Sequence, residues 1–277
     1  MGPVKMRGPG YLRKCGKNVL REVGLWKNGT NNRNVMMTPK PDKETVPIGA
    51  KVDATPAKRP QRTTLEGRLV KVVPLDPAAH ADALFDGTRG DDNDRLWLYL
   101  FEGPFPTRAS FDSHLQQRAS SEDPLFFAIL DKASGDAVGY AAYMRIEPAH
   151  RVIEVGSILF TPRLQRTSGA TEAMYLMARH VFEDLGHRRY EWKCNALNAP
   201  SQSAALRLGF TFEGIFRQHM IIKGRNRDTA WFSMLDLEWP KRKAAFERWL
   251  DPANFDANGR QKVSLSAMNR EVENGRS

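Results

Sequence analysis

The sequence predicts an α/β protein of the α+β type, with one mixed central sheet of about six to seven strands and helices on both faces. Three apolar, strand-like segments follow one another without an intervening helix, at 125–131, 137–146 and 152–160. A long amphipathic helix at 169–186 then separates the third segment from the next strand-like one, 190–194. Strands joined by short turns pair antiparallel and a helical crossover joins parallel neighbours, so we expect both kinds of pairing.

The first part of the domain is predicted to contain one strand and two helices. The strand is 68–75, and the helix 77–87 follows it and ends at a glycine. An irregular segment rich in aromatic residues, 91–105, leads to the second helix at 107–121. Further on, Ser-Gly-Asp at 134–136 is typical of the turn of a β-hairpin.

The second part is predicted to alternate strands and helices. The long helix stops at Gly186. A short helix at 201–209, strands at 210–216 and 229–239, and a helix at 241–250 complete the order β-α-α-β-β-β-α-β-α-β-β, followed by the last helix. The apolar face of the long helix consists of Ala170, Met174, Met177, Val181 and Leu185.

Composition divides the chain into a basic leader at 1–62, a folded domain at 63–250 and a polar C-terminal tail at 251–277. The leader holds 14 basic and 4 acidic residues, which accounts for the whole net charge of +10. Its few apolar clusters and many Pro, Gly and Asn residues predict disorder. An organellar transit peptide, or upstream sequence before a translation start at Met36 or Met37, would have the same composition.

The charge pattern argues against a nucleic-acid partner, because the predicted domain carries no net charge. No segment is long and apolar enough to span a membrane, so no membrane partner is expected. The two cysteines, Cys15 and Cys194, give neither a zinc-binding spacing nor a disulfide framework. We therefore expect a protein of the cytoplasm, or of an organelle if the leader is a transit peptide, that uses no metal.

An anion-binding turn is predicted between the strand 152–160 and the long helix. The first turn of a helix presents free backbone N–H groups and the positive end of the helix dipole. Here Arg166 adds a guanidinium, and Gly169 lets a ligand approach the backbone. Hydroxyl groups come from Thr167, Ser168 and Thr171. Helix capping alone would also explain these small polar residues.

A second polar segment, 195–214, follows the strand 190–194. Asn198 lies in the loop between strand and helix, and Ser201 or Ser203 is predicted to cap the helix. The helix then ends at Leu-Gly-Phe. An Asx turn at Asn198 is the structural alternative to a role in binding.

With these two motifs in this order, the chain resembles the GNAT superfamily of N-acetyltransferases over about 68–240. The superfamily signature Q/R-x-x-G-x-G/A occurs at 166–171, with Thr171 departing at its last position. The segment NxxS followed by LGFxxEG is similar to the branch of ribosomal-protein N-terminal acetyltransferases. The resemblance implies acetyl-CoA as co-substrate and a primary amine as acceptor, on either a protein N-terminus or a small molecule.

The resemblance also implies positions for acetyl-CoA. The strand before the signature lies against the acetyl end, and Asn198 contacts the pantetheine arm. The residues implied at the acetyl end are Leu159, Phe160 and Thr161. Those implied at the diphosphate are Arg166, Thr167, Ser168, Gly169, Ala170 and Thr171.

Transfer from a thioester to an amine needs a base for the amine and a proton for the leaving thiolate. Glu154 is the predicted base, acting directly or through water, because it is the one charged residue in an apolar strand. A structural carboxylate paired with Arg145 or Arg151 is the alternative, and Glu191 is a second candidate base. The superfamily often uses a tyrosine just beyond the asparagine as acid. This chain lacks one there, so Ser201 or water is the candidate.

The acceptor side is predicted to involve aromatic and basic residues from two other segments. Trp97, Tyr99 and Phe105 either wall a groove or belong to the core. Lys223, Arg225 and Arg227 crowd a hairpin turn, where they meet a carboxylate or phosphate of the acceptor or are simply solvated. A catalytically inactive acyl-CoA-binding regulatory protein is the alternative function, and the sequence sets no oligomeric state.

Overall fold

The computed structural model of the protein describes residues 48–273. Most of the predicted leader, 1–47, therefore lies outside the described residues. Within the described part, the compact unit begins at Val52. No helix between 48 and 273 has the length and apolar character needed to cross a membrane.

The domain is built on one open mixed sheet of eight strands, in the order β1-β2-β3-β4-β5-β6-β8-β7. This confirms the predicted fold class. The sheet has eight strands, one more than the six to seven that the sequence predicted. The strands are β1 Leu65–Glu66, β2 Val70–Pro74, β3 Leu125–Asp131, β4 Ala137–Glu147, β5 Val152–Phe160, β6 Arg189–Asn195, β7 Thr211–Ile222 and β8 Arg225–Leu235.

Six α-helices pack around the sheet in the described residues. They are α1 Pro77–Thr88, α2 Arg108–Ser120, α3 Ser168–Arg179, α4 Ala199–Arg207, α5 Trp239–Leu250 and α6 Leu265–Glu273. A π-helical turn, His180–Asp184, extends α3, and short 3₁₀ turns lie at Asp91–Trp97, Pro148–His150 and Pro252–Asn254.

The helices cover both faces of the sheet, as predicted. One core lies under α1 and α2 and includes Leu84, Phe111 and Tyr140, all almost fully buried. A larger core on the other face lies under α3 and α5 and includes Met177 and Phe246. Because each helix buries only one stripe of its surface, the two layers leave the outer faces of the helices to water.

The pair β5 and β6 is the one parallel pair among the described strands, with α3 as the crossover between them. Their register runs from Val152 opposite Arg189 to Val155 opposite Trp192, and it stops there. Beyond this point β5 stays paired with β4, and β6 stays paired with β8. The two strands therefore separate, and the sheet has a gap at its centre.

A buried carboxylate fixes α3 to the beginning of the sheet. Glu172 accepts the backbone N–H groups of three successive residues, 68–70, at 2.6–2.9 Å. A side chain at Gly67 would lie 2.5 Å from the same carboxylate, so only glycine fits there. These bonds hold the N-terminal end of α3 against β2.

The structure corrects the predicted end of the leader. The amide of Ala57 donates to the Pro148 carbonyl at 3.0 Å, and the amide of Lys58 donates to the Leu185 carbonyl at 2.9 Å. The exposed Arg62 side chain bonds the region around Glu122. Residues 57–62 are therefore attached to the domain, and the disorder predicted for 1–62 does not extend to its end.

The structure also corrects the C-terminal tail predicted at 251–277, because much of it is folded. Helix α6 buries Leu265 and Met268 against α5, and Asn269 donates to the Arg207 carbonyl at 3.1 Å. Phe255 and Gln261 form an isolated bridge, and Gln261 accepts from the Trp249 indole at 2.7 Å. The sequence analysis missed this amphipathic helix because the segment is mostly polar. Its two buried apolar residues are three positions apart, as on one face of a helix.

Truncating Leu265 tests whether α6 is part of the domain. Leu265→Ala removes a fully buried side chain, so we expect the free energy of unfolding to fall by roughly 2–5 kcal/mol. Chemical denaturation measures the change. The control is Val263→Ala, which truncates an exposed side chain two residues earlier and should change stability by less than about 0.5 kcal/mol. Equal stability of the two variants would show that packing of α6 does not contribute to the stability of the domain.

Candidate active site

A large cleft of about 1380 Å³ opens where β5 and β6 separate. Its walls come from the separated halves of these strands and from the N-terminal turns of α3 and α4. The segment before α2 and the β7–β8 hairpin close its other end. The cleft therefore has two halves, one at the helix N-termini and one at the hairpin.

A β-bulge shapes the wall on the β5 side. Gly156 and Leu159 pair with Ala142 and Tyr140 of β4, so two residues of β5 oppose one of β4. The first of the two, Ser157, has a φ of 48°. A bulge bends its strand and strengthens the local twist, which turns β5 away from β6 at this point.

The turn before α3 has the anion-binding geometry that the sequence predicts. Thr167 caps the helix, and its hydroxyl accepts from the amide of Ala170 at 3.2 Å. Arg166 precedes it with a φ of 61° and is exposed in the cleft wall. The remaining first-turn N–H groups of α3 have no helical acceptors, so an anion here would meet both donors and a positive dipole.

A second guanidinium reaches this turn, and the sequence analysis missed it. Arg207 at the end of α4 is in the cleft wall and donates to the Thr171 hydroxyl at 3.0 Å. Its guanidinium lies 4.7 Å from the centre of the Trp249 ring. Burial lowers the pKa of Arg207. The packing of α4 against the C-terminal segment places this charge, and no motif in the sequence indicates it.

Most of the predicted site residues are brought together in the cleft wall, but two are not. Thr161 is buried and its hydroxyl donates to the Val138 carbonyl at 2.8 Å. A Cβ atom at Gly169 would lie 3.0 Å from Val70, so this glycine lets α3 pack closely against β2. The predicted residues that do line the cleft are Glu154, Leu159, Phe160, Arg166, Thr167, Ser168, Ala170, Thr171, Asn198 and Ser201.

The loop before α4 corrects the predicted helix cap. Asn198 is the N-cap, and its side-chain oxygen accepts from the amide of Ser201 at 3.2 Å. The Ser201 hydroxyl instead accepts from the Trp192 indole at 3.0 Å, which leaves its own proton available for donation. Burial raises the pKa of the neighbouring Cys194 thiol, so this cysteine is protonated. The site thus contains a hydroxyl donor and no thiolate nucleophile.

Glu154 lies in the wall of the cleft with only 4% of its surface exposed. Its carboxylate bonds the Lys193 ammonium at 2.9 Å and the Arg145 guanidinium at 3.0 Å. Burial raises the pKa of Glu154, and these two cations oppose the shift. Glu154 is therefore paired with Arg145, as the structural alternative predicted. It also lies in the cleft wall, where a catalytic base must be.

Lys193 holds Glu154 within a longer row of buried charges. Its ammonium also bonds Glu191 at 2.6 Å and lies 3.8 Å from the centre of the Trp231 ring. Glu191 in turn bonds Arg189 at 2.6 Å. Glu191 is buried and paired, not facing solvent, and it is not in the cleft wall.

The backbone at Arg145 is held in an unusual conformation. Its φ is 50°, and the β4–β5 pairing shifts register here. The carboxylate of Asp123 accepts the amides of Arg145 and Ile146 at 2.9 and 3.0 Å. These bonds stabilise the left-handed residue from which the Arg145 side chain reaches Glu154.

The segment before α2 closes the hairpin half of the cleft. Trp97 belongs to the core and packs edge to face on Phe105 at 5.1 Å, so the core alternative is right for these two aromatics. Tyr99 lines the cleft, and its hydroxyl donates to the Leu197 carbonyl at 3.1 Å. The Lys223 ammonium donates to the Trp97 carbonyl at 2.8 Å. Two hydrogen bonds thus fasten this segment across the cleft.

The predicted basic hairpin residues have three different environments. Arg227 is buried and lines the cleft, Lys223 fastens the segment before α2, and Arg225 is exposed at the tip. His219 also lines the cleft. Within residues 48–273, no cluster of His, Cys, Asp or Glu side chains has an arrangement that could hold a metal ion.

Comparison with known proteins gives one consistent family. The sequence profile of the acetyltransferase (GNAT) domain matches residues 70–211. A GCN5-related N-acetyltransferase from Brucella melitensis is 51% identical, with a TM-score of 0.77 over 79% of this chain and 99% of that one. A probable acetyltransferase of the GNAT family from Chromobacterium violaceum is 39% identical, with a TM-score of 0.66 over 70% and 98%.

More distant similarity extends to the fold alone. The microcin C7 self-immunity acetyltransferase MccE, solved in complex with acetyl-CoA and AMP, is 20% identical, with a TM-score of 0.53 over 61% of this chain and 93% of that one. A comparison with curated proteins gives no significant match. The finer resemblance to the ribosomal-protein N-terminal acetyltransferase branch stays a prediction.

Replacing Lys193 tests the buried charge row. Lys193→Met leaves Glu154 with Arg145 as its only close cation, so we expect the free energy of unfolding to fall by about 3 kcal/mol. The control is Lys243→Met, because Lys243 bonds Glu183 at the surface and should contribute less than about 1 kcal/mol. Urea denaturation of both variants measures the difference. Similar losses in the two variants would mean that the Lys193 ion pair stabilises the fold no more than a surface ion pair does.

Proposed function

The chain belongs to the GNAT family of acetyltransferases, and from this premise we propose that it moves the acetyl group of acetyl-CoA directly to the nitrogen of a primary amine. The acceptor is a protein N-terminus or a small-molecule amine. The observation that carries the proposal is the single cleft that joins an anion-binding helix turn to the buried carboxylate of Glu154. A diphosphate and an amine are the groups that these two ends recognise.

The residues of the α3 half fit the diphosphate and pantetheine of acetyl-CoA. Arg166 and Arg207 supply two guanidinium groups beside the first turn of the helix. The pantetheine arm fits the gap between β5 and β6, where Asn198 offers an amide and β5 has an edge without a strand partner. The pantetheine arm contains amide groups. The unpaired backbone groups of β5 can form hydrogen bonds with them, as the backbone of a neighbouring strand would.

The residues at the centre of the cleft supply the groups for transfer. When bound, acetyl-CoA brings an acyl carbon activated by its thioester and a thiolate leaving group. Glu154 takes the proton of the attacking amine, directly or through water. The free N–H groups of β5 donate to the acyl oxygen as negative charge develops on it. Ser201 or water passes a proton to the leaving sulfur, and Ser201 regains a proton from solvent, so the sulfur leaves as a thiol and the serine stays neutral.

Arg166→Ala tests the phosphate end. A hydrogen bond from a charged donor contributes roughly 1.5–3 kcal/mol, so the dissociation constant of acetyl-CoA should rise about tenfold or more. Isothermal titration measures it. Arg163→Ala is the matched control, because Arg163 pairs with Asp136 outside the cleft and should leave the affinity unchanged. Wild-type affinity in Arg166→Ala would remove this residue from the phosphate site.

Glu154→Gln tests the base. We expect kcat to fall about 100-fold while acetyl-CoA affinity stays the same, because the amide keeps the shape and cannot take a proton. Activity of the wild type should fall as the pH drops through the raised pKa of Glu154, because only the ionised carboxylate accepts the proton. A thiol-release assay across pH measures both. In Glu154→Gln, higher pH should restore part of the rate, since more of the amine is then neutral.

Glu191→Gln is the control for this substitution, because Glu191 belongs to the same charge row and lies outside the cleft wall. It should lower stability and keep kcat within a few-fold of wild type. A stable Glu154→Gln enzyme with wild-type kcat at neutral pH would refute the assignment. The wild type could instead bind acetyl-CoA tightly and release no thiol with any amine. That result would support the alternative function, a catalytically inactive acyl-CoA-binding regulatory protein.

A further inference from the structure

Arg227 is a buried cation without a counter-ion in the part of the chain that the structure describes. Only 7% of its surface is exposed, and that surface opens into the hairpin half of the cleft. Its Nε donates to the Thr229 hydroxyl at 3.3 Å, and its guanidinium lies 5.2 Å from the centre of the Phe101 ring. Between residues 48 and 273, no carboxylate lies within 4 Å of it, and its two terminal nitrogens make no hydrogen bond.

The carboxylates nearest to it in the cleft and in the sequence are already engaged. Glu154 in the cleft wall bonds Arg145 and Lys193, and Asp228, the next residue, accepts a backbone amide at 2.7 Å. Burial lowers the pKa of Arg227, and the charge of Glu154 opposes this shift. A guanidinium stays ionised in proteins, so the hairpin half of the cleft keeps a positive charge that the described residues around it do not neutralise. A buried charge of this kind is stable only with a partner of opposite sign.

His219 lies beside Arg227 and responds to the same charge. Its Nδ1 lies 3.0 Å from the Thr229 hydroxyl, the group that also accepts from Arg227. Burial lowers the pKa of His219, and the neighbouring Arg145 and Arg227 add to this effect. The imidazole is therefore neutral at physiological pH and adds a polar ring to the cleft wall next to the guanidinium.

We propose that Arg227 binds an anionic group of the acceptor, so that the substrates are primary amines that carry a carboxylate or a phosphate. The proposal rests on the proposed acetyl transfer and narrows its acceptor. The terminal nitrogens of a guanidinium form two parallel hydrogen bonds with either anion. The amine of the same molecule then lies toward Glu154, which lines the same cleft. The anion therefore orients the amine as well as binding it.

Paired amines that differ in the anion alone test the proposal. O-phosphoethanolamine is compared with ethanolamine, and serine with serinamide, in the thiol-release assay. We expect wild-type kcat/KM to favour the anionic member of at least one pair by tenfold or more. The first pair reports a phosphate and the second a carboxylate. In Arg227→Gln the preference should fall to about one, and Arg227→Lys should retain part of it.

The matched control is Arg225→Gln, since Arg225 is exposed at the tip of the same hairpin and does not line the cleft. It should keep the wild-type preference. The preference is a ratio measured within one preparation, so any loss of folded protein in Arg227→Gln cancels. A merely structural role for Arg227 would lower the rates of both members of a pair equally.

Either of two outcomes in the rate measurements overturns the proposal. One is a wild-type enzyme that acetylates neutral amines as well as their anionic partners, and the other is a preference that survives Arg227→Gln. Isothermal titration of both anionic amines into the CoA-loaded protein provides a readout without turnover. Absent binding, or equal binding to wild type and Arg227→Gln, also refutes it. Failure to bind acetyl-CoA at all would instead refute the proposed acetyl transfer.

Discussion

The separation of β5 from β6 beyond Val155 and Trp192 is the constraint on which the rest of the site depends. A parallel pair that continued would close the sheet and leave no cleft. The bulge at Ser157 bends β5 away, and each strand keeps its other neighbour, so the gap opens without loss of the sheet. Backbone groups along the gap then need partners from outside the strands. The helices that follow the two strands, α3 and α4, begin at this gap and bring their N-terminal turns to it.

Charge is distributed unevenly along the cleft. Glu154 is buried among apolar strands, and its ionised form depends on Lys193 and Arg145. Breaking such a pair is costly, because the remaining charge cannot regain water. The row of charges therefore keeps a carboxylate inside the protein that would otherwise be protonated. The same packing prevents these carboxylates from reaching Arg227, which is why the hairpin half of the cleft stays positive.

The sequence was sufficient for the order of the seven longer strands and for the crossover helix, because each leaves a local pattern of apolar spacing or turn residues. Helix α6 was missed because its apolar residues are few and its neighbours are polar. The burial of Glu191 could not be predicted, since alternation along β6 cannot tell which face of a doubly covered sheet is exposed. The positions of Arg207 and Arg227 depend on tertiary packing, so no local motif predicts their roles. The close approach of Gly169 to Val70 and the hydrogen bond from the Trp192 indole to Ser201 also depend on tertiary structure, so the sequence alone could not predict them.

The attachment of α6 to the site has a consequence for synthesis on the ribosome. Leu265 and Met268 cover the helix that carries Trp249, and Arg68 at the start of the domain donates to the Leu250 carbonyl at 3.0 Å. The first strands of the domain are thus joined to residues made near its end. A chain that emerges from its N-terminus cannot complete this core until α6 has left the ribosomal exit tunnel. The apolar surface of α5 stays exposed during that interval, from its own emergence to that of α6, and a chaperone could bind it there.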